Sequence, residues 1–251
     1  MLAGMGLFWN TPLFANTAII AFGTPEFVII GADSKMTTLD GRITRTGCKI
    51  GVSKNIVWAS ALFTEVISHN SVKFDVNRIA YESIQSGLPL KDVVADFESR
   101  IQPAIIPVIA GIAKADPHFF NQKIRGYAVV EIVFVGIYDN EVHTFARDFQ
   151  VEANSNVTQI ILGLHRFDCP SSDCPTGGLI RFGTHNAIDG ELARNPDIWN
   201  TLGIVPAIEK LIEIQMATTP NIVGGPIAIV KVSRSGADWL KTGACHNAQP
   251  N

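Results

Sequence analysis

Positive charge is in short supply in this chain: 20 Lys and Arg stand against 23 Asp and Glu, for a formal net charge of −3. No run of Lys and Arg with interleaved aromatics occurs, so the footprint that tracks phosphates is missing and no nucleic-acid partner is expected. Cysteine is scarce as well, and 4 in 251 residues are too few for a disulfide scaffold. The first 16 residues, MLAGMGLFWNTPLFAN, contain no charge at all. That lack removes the basic n-region of a secretory signal, and a segment this short does not span a bilayer, so no membrane span is expected. Residues 1–16 therefore read as a removable propeptide, a degenerate signal or an extra strand. No internal repeat or linker divides the remainder, which reads as a single domain over residues 17–251.

What the chain does hold is apolar material. At 47% hydrophobic and 17% charged it can build a sizeable core and is not disordered. Cys169 and Cys174 bracket the turn CPSSDC. Three states are open to them: a small disulfide loop in an oxidising compartment, free thiols, or a weakly spaced zinc site with His165 and His185. His69, His118, His143 and His246 read as ordinary surface or core histidines.

Residues 17–23 and 26–33 predict two strands joined at Gly-Thr-Pro-Glu, which sets Thr17 and Asp33 at one end of an antiparallel pair. A second pair is expected at 43–52 and 55–62, and helical spacing from about Thr64 to Ala115, broken at Gly87 to Leu90. Strands follow at 126–136 and 141–149, then a segment at 152–180 that reads as an insertion. Helical periods over GTHNAIDGELA and IVPAIEKLIEIQMAT precede a closing hairpin, GGPIAIVKVSRSGADWL. This order predicts an α+β fold, a four-layer α-β-β-α sandwich with two antiparallel sheets flanked by helices.

Thr17 opens the first strand, Asp33 ends the second and Lys49 lies on the third, at separations of 16 and 32 from Thr17. A Thr hydroxyl is a weak nucleophile until a base takes its proton, and an α-amino group with a pKa near 8 can serve if the chain begins at Thr. A buried Lys favours the incipient alkoxide, and an Asp keeps that Lys charged and oriented. With ADSK at residues 32–35, the triplet resembles the proteasome β-subunit family of N-terminal nucleophile hydrolases and its bacterial relatives.

The resemblance covers Thr17 to about Trp239 and implies a threonine-type endopeptidase that exposes Thr17 by autocatalytic processing, acts on peptides or unfolded polypeptide, and needs no cofactor. It implies Thr184, in FGTHNA, as a partner of the terminal amine, the Ser60 N–H as an oxyanion donor, and Lys35 and Trp58 at the substrate, with Trp58 as the floor of a pocket for a small apolar side chain. It further implies a homo-oligomeric ring and a cytoplasmic location, or export if residues 1–15 act as a signal. The chain departs from the family in having Asn16 rather than Gly before the nucleophile, and Pro220 and Val223 where a late Asp and Ser are expected. Those departures favour a second expectation, a non-catalytic scaffold or binding protein that keeps residues 1–16.

Overall fold

The computed structural model describes residues 12–15, 17–38, 44–68, 71–154, 159–172, 174 and 178–245. Residues 1–11, Asn16, His69 and His246 lie outside the described residues.

The chain enters through β1 (Pro12–Ala15), passes Thr17 and forms the hairpin of β2 (Ala18–Gly23) and β3 (Phe27–Ala32). Short strands β4 (Lys35–Thr38), β5 (Thr44–Thr46) and β6 (Ile50–Ser53) lead to the long β7 (Ile56–Ser68), which folds back on β8 (Ser71–Asp75). Helices α1 (Val76–Gln85), α2 (Leu90–Ala115) and α3 (Pro117–Lys123) follow. An antiparallel meander of β9 (Ala128–Tyr138), β10 (Glu141–Ala153) and β11 (Ile160–Cys169) comes next. Then β12 (Leu179–Gly183) feeds α4 (Asn186–Arg194), α5 (Ile198–Leu202) and α6 (Ile204–Thr218). The hairpin of β13 (Ala228–Ser233) and β14 (Gly236–Lys241) closes the fold.

The strands pair antiparallel in a large sheet, ordered β11-β10-β9-β7-β1-β4-β5 with β6 and β8 also on β7, and a smaller one, ordered β12-β2-β3-β13-β14. A minimal further pairing joins Ser171 and Cys174. Period-two alternation sorts the faces of β7 as far as Ala61; Leu62, at φ +71, interrupts it, so Phe63 joins the face of Trp58. Val57, Ala59 and Ala61 meet Ile19, Ile30 and Val230 of the small sheet, while Trp58 and Phe63 point into the core under α1 and α2. Leu90, Phe97, Ile101, Ile105 and Ile109 form a buried stripe along α2 at helical spacing. On the other side, Ile208, Leu211 and Ile212 of α6 cover Ala18, Ile20 and Ile229.

The structure corrects the four-layer α-β-β-α sandwich expected from sequence: the described residues are mostly antiparallel sheet, with 43% strand against 35% helix. Two stretches account for the excess of strand. Where helix is expected from Thr64, β7 continues to Ser68 and β8 pairs beside it. Where an insertion is expected, β10 runs to Ala153 and β11 pairs with it from Thr144↔Cys169 to Ala153↔Ile160. Glu98 of α2 ties that hairpin down through Arg147 and Arg166.

Disulfides join Cys48 to Cys245 and Cys169 to Cys174. The zinc reading is thereby corrected, since both thiols are consumed, His165 contacts Asp148 and His185 contacts Asp189. Among the described residues no group of three or more His, Cys, Asp or Glu could hold a metal, and no helix is long and apolar enough to cross a membrane.

Candidate active site

Asp33 follows the last residue of β3, where the strand ends and its side chain is free to turn toward neighbouring backbone. It is 1% exposed, so its charge must be met from within the protein. Its Oδ1 accepts the Ala18 N–H at 2.9 Å and Lys49 Nζ at 3.0 Å. Its Oδ2 accepts the N–H groups of Lys35 at 3.1 Å and Gly224 at 2.9 Å. One carboxylate thus gathers the peptide just after Thr17, the only charged atom of Lys49, the start of β4 and the Gly224–Gly225 turn. Burial draws the Lys49 ammonium down to about 8, against an opposing pull from Asp33. Lys49 is therefore a cation that can exchange its proton near neutral pH.

Thr17 itself is fully buried and lies between β1 and β2. Its carbonyl accepts the Thr184 N–H at 2.7 Å, which extends the β12–β2 ladder by one step beyond Gly183↔Ala18. Gly183 adopts φ +73, and a Cβ there would lie 1.8 Å from the Thr17 oxygen. Only glycine fits such a backbone at such an approach. Gly183→Ala is expected to cost about 2–3 kcal/mol and to displace Thr17; chemical denaturation of the variant checks the first, and a midpoint equal to wild type would contradict the clash.

The remaining expected residues are placed differently. The Ser60 N–H points at the Lys49 carbonyl at 3.4 Å and its hydroxyl donates to Asn77 Oδ1, so this N–H is engaged in the sheet rather than offered as an oxyanion donor. Trp58 is 2% exposed in the core beneath α1, with its indole N–H on Asn77. Lys35 gives its N–H to Asp33 and its ammonium to the Pro220 carbonyl. In place of the late Asp and Ser, Val223 is a core residue and the turn after it supplies the Gly224 N–H to Asp33. Thr219 is tied to Gln215, and Asn221 is exposed.

Sequence reasoning missed three features. Leu62 has φ +71 in the middle of β7, directly opposite Ala15 of β1; a bulky residue in the left-handed region is backbone strain of the kind that gathers at functional sites. A cavity of about 350 Å³ starts one residue from Lys49, lined by Met36, Thr46, Gly47, Thr64, Glu65 and Asn77 among others. It is polar: Glu65 pairs with Arg45 at its wall, and the buried Thr64 hydroxyl has no partner among the described residues. Asn77, which holds the Trp58 indole and the Ser60 hydroxyl, lines this cavity, and Cys48 brings it to the residue before Lys49.

The third is Glu131 on β9, whose Oε2 accepts the Gly183 N–H at 2.6 Å. Burial pushes its carboxyl up to about 7, Gly183 pulls it down and Asp148 adds to the rise. Because the folded value exceeds the unfolded one, the neutral form stabilises the fold at low pH, and about 3 kcal/mol is lost as pH rises from 4.5 through about 7. Glu131→Gln is expected to abolish that loss, so wild type and variant should diverge by this amount between denaturant titrations at pH 4.5 and pH 8. Parallel pH dependence in the two would contradict it.

No protein-family model and no curated protein matches the chain.

Proposed function

We propose that the chain is the precursor of a threonine-nucleophile amide hydrolase, a proteasome-like endopeptidase activated by cleavage between Asn16 and Thr17. The supporting observation is the convergence on Asp33 of Lys49 and the peptide that follows Thr17. In the intact chain the Thr17 nitrogen is an amide and has no basic lone pair. Attack of Thr17 Oγ on the Asn16 carbonyl turns that amide into an ester; water then hydrolyses the ester, leaving a carboxylate on Asn16 and a free amine on Thr17. The amine then serves as the base for the next attack, on a peptide carbonyl, with the Lys49 cation favouring the alkoxide.

The pairing of β1 supports a polypeptide substrate. β1 lies between β4 and β7, antiparallel to both, with Leu13 opposite Thr38 and Glu65. Its departure after cleavage exposes two strand edges that an extended peptide can bridge by main-chain hydrogen bonds. The polar cavity favours a side chain with hydrogen-bonding groups over the small apolar one expected from Trp58. Two disulfides fit maturation in an oxidising compartment, in line with export.

A second reading, the non-catalytic scaffold, draws on the same strand: β1 is built into the large sheet, and a chain that keeps it has no free amine on Thr17. The two readings part on exposure of the protein to a hydroxyl-acylating electrophile such as a β-lactone. The hydrolase gives one acyl adduct on Thr17 and loses peptide turnover, whereas no adduct at Thr17 on a correctly folded protein contradicts it.

A further inference from the structure

Asp33 approaches Thr17 from the β3 edge of β2; a second, half-buried carboxylate, that of Glu131, stands on the opposite, β12 edge. Glu131 alternates along β9 with Val133 and Val135, which face the space between the sheets. At the rim of that space it accepts the Gly183 N–H at 2.6 Å, and the next N–H, that of Thr184, donates to the Thr17 carbonyl at 2.7 Å. No step of the hydrolase chemistry proposed above uses this carboxylate. Its position is nonetheless costly, since Asp148 of β10 is its direct cross-strand partner, and like charges so placed repel.

We propose that Glu131 is a positioning residue for Thr17: it clamps the Gly183–Thr184 turn, fixing the carbonyl of the nucleophilic residue, and its ionisation sets how firmly the turn is held. The role in turnover rests on the threonine-nucleophile reading; the clamp itself does not. An ionised carboxylate is a stronger acceptor of an N–H than its neutral acid. The clamp therefore tightens as Glu131 loses its proton, in the near-neutral range that its burial dictates.

The groups around it define the controls. From β10 comes Asp148, which contacts His165 of β11 at 3.4 Å. From β7 the cross-strand neighbour is Ala61, which does not titrate. On β12, Arg181 is paired with Asp189 of α4. Beyond β2 lies the Asp33–Lys49 pair. His165, the imidazole that contacts Asp148, is thus the neighbour whose replacement serves as the control.

The test follows the Gly183 amide by NMR during a pH titration of the full-length protein, in wild type, Glu131→Gln and His165→Asn. The Gly183 proton is expected to move downfield with a midpoint near 7 in wild type and in His165→Asn, and to stay still in Glu131→Gln, which keeps a neutral acceptor. A Gly183 signal that is silent in wild type, or that still titrates in Glu131→Gln, overturns the clamp. Peptide turnover measured on the same samples separates the two levels. Turnover in Glu131→Gln should lose the wild-type inflection near 7, while Glu131→Ala falls about 10- to 100-fold at every pH. Wild-type turnover with an unchanged profile in Glu131→Gln overturns the positioning role, whereas a titrating Gly183 without any wild-type turnover overturns the hydrolase reading and leaves the clamp standing.

Discussion

Lys49→Met is expected to slow cleavage before Thr17, and peptide turnover by a chain that begins there, by about 1000-fold or more. Among the described residues Lys49 is the one cation hydrogen-bonded to Asp33, and methionine matches its length while removing both its charge and its donors. What is lost acts chiefly in the transition state, where the threonine oxygen gains negative charge, so kcat should fall far more than KM rises. The protein should still fold. Removing one member of a buried ion pair costs about 3–5 kcal/mol, and the lower end applies because Asp33 keeps the N–H groups of Ala18, Lys35 and Gly224. The pH profile carries the same information. The ammonium is held down to about 8 by burial, so wild-type turnover should decline above that pH as the cation is lost. Residual turnover in Lys49→Met should lack this alkaline limb, and a folded Lys49→Met protein with wild-type kcat would remove Lys49 from the mechanism.

Replacing Cys48 and Cys245 by serine is expected to cost roughly 5 kcal/mol, against roughly 2 kcal/mol for the Cys169–Cys174 bond. The difference comes from the unfolded chain: the first bond closes a loop of 197 residues and the second one of 5. On a chain of this size the larger loss lowers the melting temperature by about 10 °C or more. Activity should fall as well, because Cys48 is bonded to Lys49 in sequence and its disulfide fixes the segment that delivers the ammonium to Asp33. Melts of the double variant, and of wild type in reductant, check this. Equal midpoints for the Cys48/Cys245 and Cys169/Cys174 variants would contradict the loop-length argument.

The part of the site that sequence reveals is the part built on local signals. Thr17 and Asp33 sit at the ends of two strands joined by Gly23–Glu26, a short hairpin whose register brings them together. Lys49, expected on a third strand, directly precedes β6, and its meeting with Asp33 requires no long-range guess beyond that spacing. The fold was less legible where pairing, not propensity, decides. The stretch Thr64 to Asp75 carries a turn signal only in Ser-His-Asn-Ser at 68–71, and it is strand because β7 can continue beside β1 and β8. The polar EANSN at 152–156 and the CPSSDC turn make the segment around β11 read as an insertion; β11 itself is largely apolar, and its partner is the extended end of β10. Ser60 and Trp58 were displaced for the same reason, since both sit in the β6–β7–β9 ladder and its flanking core. Cys48–Cys245 is beyond any sequence argument, its members being 197 residues apart. Glu131 did leave a trace: it is the sole charged residue in AVVEIVFVGIY, an otherwise apolar strand, where a carboxylate needs a buried partner.

The proposed chemistry stands or falls on the bond before Thr17. Intact mass and N-terminal sequence of the purified wild type, beside Thr17→Ala made in the same host, read that bond directly. Self-cleavage predicts a wild-type chain beginning at Thr17 and a folded variant that retains Asn16 and the residues before it. A wild-type chain that still carries Asn16, with the same N-terminus as the variant, would contradict it.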